Sequence, residues 1–271
     1  MAKIEGFSIK NFKTLKEVAL GRFWHQPGTV PLRPITAVIG KNGVGKSTLF
    51  DAFGFLADAL QQGVERACDG RGRGGFHKIR AQGQEGPIEF EVVYKEDGKA
   101  RPITYELAID VDKSGRPYVL SERLRQRRKG QTRGRPFSFL ILNRGKGVVW
   151  RGEQEGRQID EGDFDLVAFM ASIQSGEESN ATEVVELEDP RKLGIATLGS
   201  LRQHPRISAF RQFIEGWYLS YFTPDAARSL PLSGPQKHLN IHGDNLGNVV
   251  QFMERDAQNQ TRYIIHIKWL V

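Results

Sequence analysis

Apolar side chains change their spacing several times along the 271-residue chain, and each spacing predicts a different element. Residues 3–12 alternate as a strand does, and Pro31–Ile39 ends in a β-branched apolar run that predicts a buried strand. From Lys46 to Gln62 the apolar residues recur at helical spacing, which predicts a helix with one buried face. Residues 63–86 are rich in Gly and Arg and are predicted to form a loop.

Short apolar segments between residues 87 and 150 predict strands separated by turns. Turn signals such as Asp97-Gly98 lie between them and indicate an antiparallel meander. After Asp163 the spacing becomes helical, most clearly over Pro205–Phe222 and again within His238–Met253. The predicted strands are Ile88–Tyr94, Thr104–Ile109, Tyr118–Leu120, Phe137–Leu142 and Gly147–Trp150.

The strongest chemical signal is a complete G-x-x-x-x-G-K-[ST] motif between the second predicted strand and the first predicted helix. Such a loop turns backbone N–H groups towards a phosphate, and the following helix directs the positive end of its dipole at the same anion. Lys46 would supply a charge to the β- and γ-phosphates, and Ser47 would offer its hydroxyl to Mg²⁺. The predicted nucleotide-binding residues are Gly40, Lys41, Asn42, Gly43, Val44, Gly45, Lys46, Ser47 and Thr48.

The structural alternative for this motif is a glycine-rich turn in front of a helix. Average residue frequencies give on the order of 0.01 chance matches in a chain of this length. The motif therefore predicts binding of a nucleoside triphosphate, with ATP and Mg²⁺ as the cofactors.

Two stretches around this motif resemble a known family. They are I-x-x-F-x-I-K-N-F-K at residues 4–13 and I-T-A-V-I-G-K-N-G-V-G-K-S-T-L-F-D-A-F at residues 35–53. Both resemble ABC-type ATPases of the RecF/SMC-like group, and more narrowly the bacterial AAA-type ATPases that share this head. The stretches at 105–124, 198–205, 217–228 and 242–250 are similar to the antiparallel arm and helical segment of such proteins.

The resemblance implies an α/β P-loop NTPase fold, like an ABC ATPase head, with an antiparallel β arm and a helical segment. It divides the chain into a P-loop lobe (1–86), a β arm (87–160), a helical segment (161–255) and a divergent tail (256–271). It also implies a homodimer in which ATP lies between the P-loop of one copy and the signature motif of the other.

Members of this group continue with a signature motif, a Walker-B strand that ends in acidic residues, and a switch histidine. These patterns are not found before Val271, so the sequence is expected to be an incomplete, N-terminal portion, and hydrolysis by this chain alone is doubtful. Leu107–Asp112 is the nearest candidate for a Walker-B strand, but it lies between hairpin turns. L-S-G-P-Q at 232–236 resembles the signature, but it precedes the place where the family carries it.

By the same resemblance, a glutamine after the first helix contacts Mg²⁺ and the attacking water. Gln82 and Gln84 are the candidates for this catalytic role, and a plain polar loop is the alternative. Asn11 and Lys13 follow the first strand, where members of the group approach the nucleotide. A surface turn explains these two residues equally well.

The charge balance widens the range of partners. The net charge of +7 and the pI of about 9.5 favour polyanions, so DNA or RNA is a candidate partner besides ATP. The densest basic runs are Arg123–Arg135 and Arg71–Arg80, which are suited to phosphate-backbone contacts. An exposed hairpin connection is the alternative for the first run.

Several other classes are disfavoured by the composition. Cys68 is the single cysteine, so no disulfide can form within the chain, which suits a reducing cytoplasm. No run reaches the ~18 apolar residues of a membrane span, so a cytoplasmic protein without membrane contact is predicted. The six histidines show no metal-ligand spacing. Asp112–Gly115 matches a short GTPase pattern, but a turn between strands explains it better.

The sequence therefore predicts an ATP-binding ATPase head of the RecF/SMC-like type that holds Mg-ATP through its Walker A loop. The alternative is a nucleic-acid-binding module switched by ATP, associated with DNA repair or defence. A third interpretation is an inert remnant whose sheet does not fold stably.

Overall fold

The structure, a computed structural model, describes residues 2–152, 165–175, 182–217, 224–228, 234–240 and 242–255. The chain divides into two compact units, residues 1–217 and 218–271. The first unit contains the sheet and the glycine-rich motif, and the described residues of the second contain two helices.

One antiparallel sheet of eight strands forms the framework of the first unit. From edge to edge the strands run in the order β2-β1-β3-β4-β5-β6-β7-β8, so β3 to β7 form the meander that the sequence predicts. The strands are β1 (Lys3–Phe12), β2 (Leu15–Gly21), β3 (Ile88–Lys95), β4 (Ile103–Val111), β5 (Pro117–Gln126), β6 (Phe137–Asn143), β7 (Lys146–Trp150) and β8 (Thr182–Glu186).

Helices cover the apolar face of this sheet. Because side chains alternate along a strand, Phe90 of β3 and Tyr105 of β4 lie on the same face of the sheet, the face that the helices cover. Phe55 of the first helix stacks on Phe90 with 5.5 Å between ring centroids, and Phe210 lies 5.1 Å from Tyr105. The helices of this unit are α1 (Lys46–Gln62), α2 (Val64–Asp69), α3 (Phe76–Ile79), α4 (Leu166–Gln174), α5 (Gly194–Leu198) and α6 (Pro205–Glu215).

The opposite face of the sheet is charged. Arg125 of β5 donates through Nε to Glu106 Oε1 of β4 at 2.7 Å. His25, in the connection after β2, contacts Glu91 of β3 at 2.9 Å, so this connection covers part of the charged face. Burial raises the pKa of Glu91, although the neighbouring His25 opposes the shift.

The predicted buried strand Pro31–Ile39 is wrong. This segment has no strand conformation, and Ile35 and Ile39 are 77% and 93% exposed, while Val38 packs partly against the core. An apolar β-branched run predicts a strand only if a neighbouring strand can accept its hydrogen bonds, and none of the strands in the described residues pairs with this segment. The glycine-rich motif therefore follows a largely exposed segment without regular secondary structure and not a buried strand.

Other predicted elements are confirmed with changed bounds. α1 spans the predicted Lys46–Gln62, and α6 covers Pro205–Glu215 of the predicted helix, whose end at 218–222 lies outside the described residues. The prediction that residues 63–86 form a loop is wrong in part, because this segment contains the short helices α2 and α3. The division into segments 1–86, 87–160, 161–255 and 256–271 stays a prediction. β1 of the first segment and β3 of the second are hydrogen-bonded neighbours in one sheet.

The second unit contains helices α7 (Pro224–Ala227) and α8 (Leu246–Arg255). A side-chain-stabilised turn leads into α8, because Asn240 Oδ1 accepts hydrogen bonds from the amides of Gly243 at 2.8 Å and Asp244 at 3.2 Å. The predicted tail 256–271 and residues 232–233 lie outside the described part of the chain. None of the helices in the described residues has both the length and the apolar character needed to cross a bilayer.

Candidate nucleotide-binding site

The glycine-rich motif forms a tight loop that ends at the first residue of α1. Gly43 and Gly45 have φ angles of 84° and 98°, in the left-handed region that favours glycine. Lys46 folds back over this loop, and its Nζ donates to the carbonyl oxygens of Gly40 and Lys41, each at 2.7 Å. The lysine thus lies across the loop and does not point into an apolar interior.

The start of α1 is suited to an anion. Gly45 is its N-cap residue, and no side chain caps the helix, so the first backbone N–H groups have no side-chain acceptor. Uncapped N–H groups and the helix dipole together favour a negatively charged ligand at this end. Ser47 is exposed in the first turn, where its hydroxyl is accessible.

The turn between β1 and β2 packs directly against the loop. Thr14 Oγ1 donates to Thr48 Oγ1 at 3.2 Å, and a Cβ atom on Gly45 would lie 2.6 Å from Leu15 Cδ2. Gly45 is therefore required both by its φ angle and by the close approach of this turn. The family resemblance points to Asn11 and Lys13 at this turn, and a role for these two residues in nucleotide binding stays a prediction.

Behind the loop, an ionic network connects α1 to two other segments. Asp51 of α1 contacts Lys13 Nζ at 2.6 Å and Arg73 Nη2 at 2.9 Å. Arg73 also contacts Asp58 at 2.8 Å, and Arg71 contacts the same carboxylate at 2.7 Å. Asp51 and Asp58 are two helical turns apart and so lie on one face of α1. The network holds the β1–β2 turn and the segment after α2 against the helix that carries the loop.

The charges in this network stabilise one another. Burial would raise the pKa of Asp51, but its hydrogen bonds and charge contacts with Arg73 and Lys13 outweigh burial and hold the pKa below its usual value. Arg71 and Arg73 belong to the basic run Arg71–Arg80, and the structure pairs both with carboxylates. In the sequence this network has one local signal, two aspartates seven residues apart in α1 on the side away from the predicted apolar face.

The candidate catalytic glutamines lie at the same end of β1 as the loop. Asn11 Nδ2 donates to the carbonyl oxygens of Gly86 and Pro87, both at 3.1 Å, and the Ala81 amide donates to Asn11 O at 3.2 Å. These bonds hold residues 81–87 beside the end of β1. Gln82 is exposed, and the Gln84 side-chain amide reaches only its neighbour Gly83. The catalytic role of both glutamines stays a prediction.

Two other groups considered as candidates for chemistry, the Asp112 carboxylate and the Cys68 thiol, have structural surroundings that explain them. Asp112, in the candidate Walker-B stretch, accepts hydrogen bonds from the amides of Ser114 at 2.8 Å and Arg116 at 3.0 Å, so it closes the turn after β4. Burial raises the pKa of Cys68 to about 12, which leaves it unreactive as a nucleophile. In the described part of the chain, no group of three His, Cys, Asp or Glu side chains could hold a metal ion.

Comparisons with known proteins identify the family. The sequence profile of an AAA domain family, described as AbiEii toxin-like and of the type IV TA system, matches residues 35–270. A search among curated proteins finds no match. An AAA domain indicates a nucleotide-binding, ATPase-like function, and ATPases of this kind generally use ATP and Mg²⁺. The matched region begins just before the glycine-rich loop and covers most of the chain, so the chain belongs to the AbiEii toxin-like AAA domain family.

Proposed function

We propose that the chain binds Mg-ATP through residues 40–48, as an ATPase head of the RecF/SMC-like type. One observation carries the proposal: Lys46 bridges the carbonyl oxygens of its own glycine loop at the uncapped start of α1. A cation held only by two neutral carbonyl oxygens gains more from a phosphate, because hydrogen bonds between charged groups are roughly twice as strong as neutral ones.

Each residue of the loop has a distinct part in this proposal. The glycines allow the backbone N–H groups to turn towards the β-phosphate, and Lys46 moves from the carbonyl oxygens to the β- and γ-phosphates. Ser47 offers its hydroxyl to Mg²⁺, the ion that neutralises the phosphate charge. Gln82 and Gln84 are the candidates for positioning water, since residues 81–87 are held at the same end of β1.

We propose further that two copies enclose the nucleotide, as the resemblance to RecF/SMC-like ATPases implies. The exposure of the loop supports this, because Lys41, Asn42 and Gly43 are exposed and the Val44 side chain is 56% exposed. Light scattering after size exclusion, with and without Mg-ATP, tests the assembly. A mass that stays that of a monomer at saturating Mg-ATP contradicts it.

Calorimetric titration with Mg-ATP tests the binding site. Lys46→Ala removes the ammonium group that would contact the phosphates. Such a contact contributes about 2–3 kcal/mol, so the substitution should weaken Mg-ATP binding roughly 30- to 150-fold. Lys16→Ala is the matched control, because Lys16 is an exposed lysine on the edge strand β2. Unchanged affinity in Lys46→Ala, or an equal loss in Lys16→Ala, contradicts the site.

A further inference from the structure

A basic cleft lies at the opposite end of β1 from the glycine-rich loop. It has a volume of about 320 Å³ and is lined by residues including Glu5, Arg22, Trp24, Lys95, Arg101 and Arg127. The start of β1, the end of β3, the start of β4 and the end of β5 meet there, since Lys3 pairs with Lys95 and Ile103 with Gln126. The cleft is thus assembled from segments more than a hundred residues apart in sequence.

Cations dominate the lining of the basic cleft. Four are present, and the single carboxylate, that of Glu5, already contacts Lys3 at 3.1 Å. Among the described residues, the side chains of Arg22 and Lys95 make no hydrogen bond or ion pair. Arg127 Nη1 donates to the carbonyl oxygen of Thr132 at 2.6 Å, a neutral acceptor that leaves its charge in place.

Trp24 adds a hydrogen-bond donor. Its Nε1 is buried in the wall of the cleft and has no acceptor among the described residues. Leaving a buried donor without an acceptor is unfavourable, and the oxygen atoms of an anionic ligand in the cleft are acceptors of the kind that this N–H lacks. The guanidinium groups of Arg125 and Arg135 lie 5.7 Å and 5.9 Å from the ring centroid, so the ring already serves as a partner for cations. That use of the ring favours contact with phosphate groups over stacking of bases.

The surface beside the cleft extends its positive charge. Residues 127–136, which connect β5 to β6, contain five Arg or Lys residues and no Asp or Glu. On the neighbouring β3–β4 turn, the Asp97 carboxylate accepts hydrogen bonds from the amides of Lys99 at 2.6 Å and Ala100 at 2.7 Å, so it is engaged within its own turn. The positive surface is therefore longer than one phosphate group.

We propose that this basic cleft and the β5–β6 connection bind the phosphate backbone of a nucleic-acid strand, without reading its sequence. The cleft supplies Arg22 and Lys95 as cations without a hydrogen bond or ion pair among the described residues, although the charge of Lys95 also acts on the nearby Asp97 carboxylate. The connection continues the contact along the strand. Such binding is electrostatic, so its affinity falls steeply with salt. The proposal does not depend on nucleotide binding at the glycine-rich loop, which lies at the other end of β1.

Fluorescence anisotropy with a labelled 20-base-pair DNA duplex, titrated over a salt series, tests the proposal. The double variant Arg22→Gln/Lys95→Gln should bind about tenfold more weakly near 0.1 M salt, and its slope of log K against log salt should be shallower by about 1.8. Lys16→Gln/Lys113→Gln is the control, because it removes the same charge from exposed positions outside the cleft. Far-UV circular dichroism verifies that both variants are folded.

Three results would overturn the proposal. The first is absence of duplex binding by the unaltered chain at low salt, and the second is an equal loss in the control variant. The third is a tenfold loss of duplex affinity in Lys46→Ala, which would place the nucleic acid at the glycine-rich loop.

A competition experiment distinguishes a site for a polymer from a site for a small anion. If inorganic pyrophosphate displaces the duplex at equal phosphate concentration, the result contradicts a polymer site. Displacement only at a large excess of pyrophosphate supports it.

Discussion

Arg73 is the residue whose removal most directly tests the ionic network behind the glycine-rich loop. Its side chain is 0% exposed and contacts the carboxylates of Asp51 and Asp58, which are 9% and 12% exposed. Arg73→Met retains much of the side-chain volume but removes the cation that lies between the two mostly buried carboxylates of Asp51 and Asp58. Breaking a buried ion pair by removing one partner costs about 3–5 kcal/mol.

The lower end of that range is expected for Arg73→Met. Lys13 still contacts Asp51, and Arg71 still contacts Asp58, so each carboxylate keeps one cation. A loss of about 3 kcal/mol in a unit of this size lowers the melting temperature by roughly 6–12 °C. Urea denaturation and thermal melting, both followed by far-UV circular dichroism, measure the change.

Two controls separate the network from a general effect of losing an arginine. Arg66→Met removes an exposed arginine from α2 and should change stability by no more than about 0.5 kcal/mol. The triple variant Arg73→Met/Asp51→Asn/Asp58→Asn also removes the two buried carboxylates that have each lost one of their cations, and it should recover part of the loss. A loss below about 1 kcal/mol in Arg73→Met, or no recovery in the triple variant, would show that the pairing energy was misjudged.

The network also sets a pH dependence. Although burial opposes the shift, Arg73 and Lys13 hold the folded-state pKa of Asp51 below its unfolded value. The stability from its ionised form is therefore present above the unfolded pKa and is lost as the pH falls through the folded one. In Arg73→Met the burial of Asp51 remains while its strongest partner is gone, so the folded-state pKa of Asp51 rises towards the unfolded value. The loss of stability on acidification that Asp51 contributes should therefore be smaller in Arg73→Met than in the wild type. Identical acid-unfolding profiles for the two proteins would contradict the assignment.

Two further changes test the sheet and its core. Burial raises the pKa of Glu122 to about 7, although hydrogen bonds from the amides of Ile195 and Gly194 oppose the shift. The free energy of unfolding of the wild type should therefore fall by about 3 kcal/mol between pH 4.5 and pH 7 relative to that of Glu122→Gln. Urea-denaturation measurements in which both proteins show the same pH dependence would contradict this. Phe210→Ala removes a fully buried ring and should lower the free energy of unfolding, measured by urea denaturation, by about 3–5 kcal/mol. Phe50→Ala, at a 42% exposed position, should lower it by less than about 1 kcal/mol. Equal losses in the two variants would show that Phe210 is not a core residue.

Local patterns in the sequence determined the elements that depend on near neighbours. Alternating side chains predicted β1 and the meander β3 to β7, and helical spacing predicted α1 at its observed bounds. The glycine-rich loop was identified by the same kind of information, because its function needs particular residue types at fixed spacing. Periodicity and turn chemistry act over a few residues, so a single sequence records them directly.

The tertiary structure decided everything that depends on distant residues. Residues 35–39 have the composition of a buried strand, yet they are largely exposed, because burial requires a partner that local sequence does not specify. Likewise Arg73 contacts Asp51 only because the chain after α2 folds back onto α1. Arg22 and Lys95 line the same cleft only because β1 lies between β2 and β3 in the sheet. Charge pairing and cleft formation depend on separation in space, and the fold alone sets that separation.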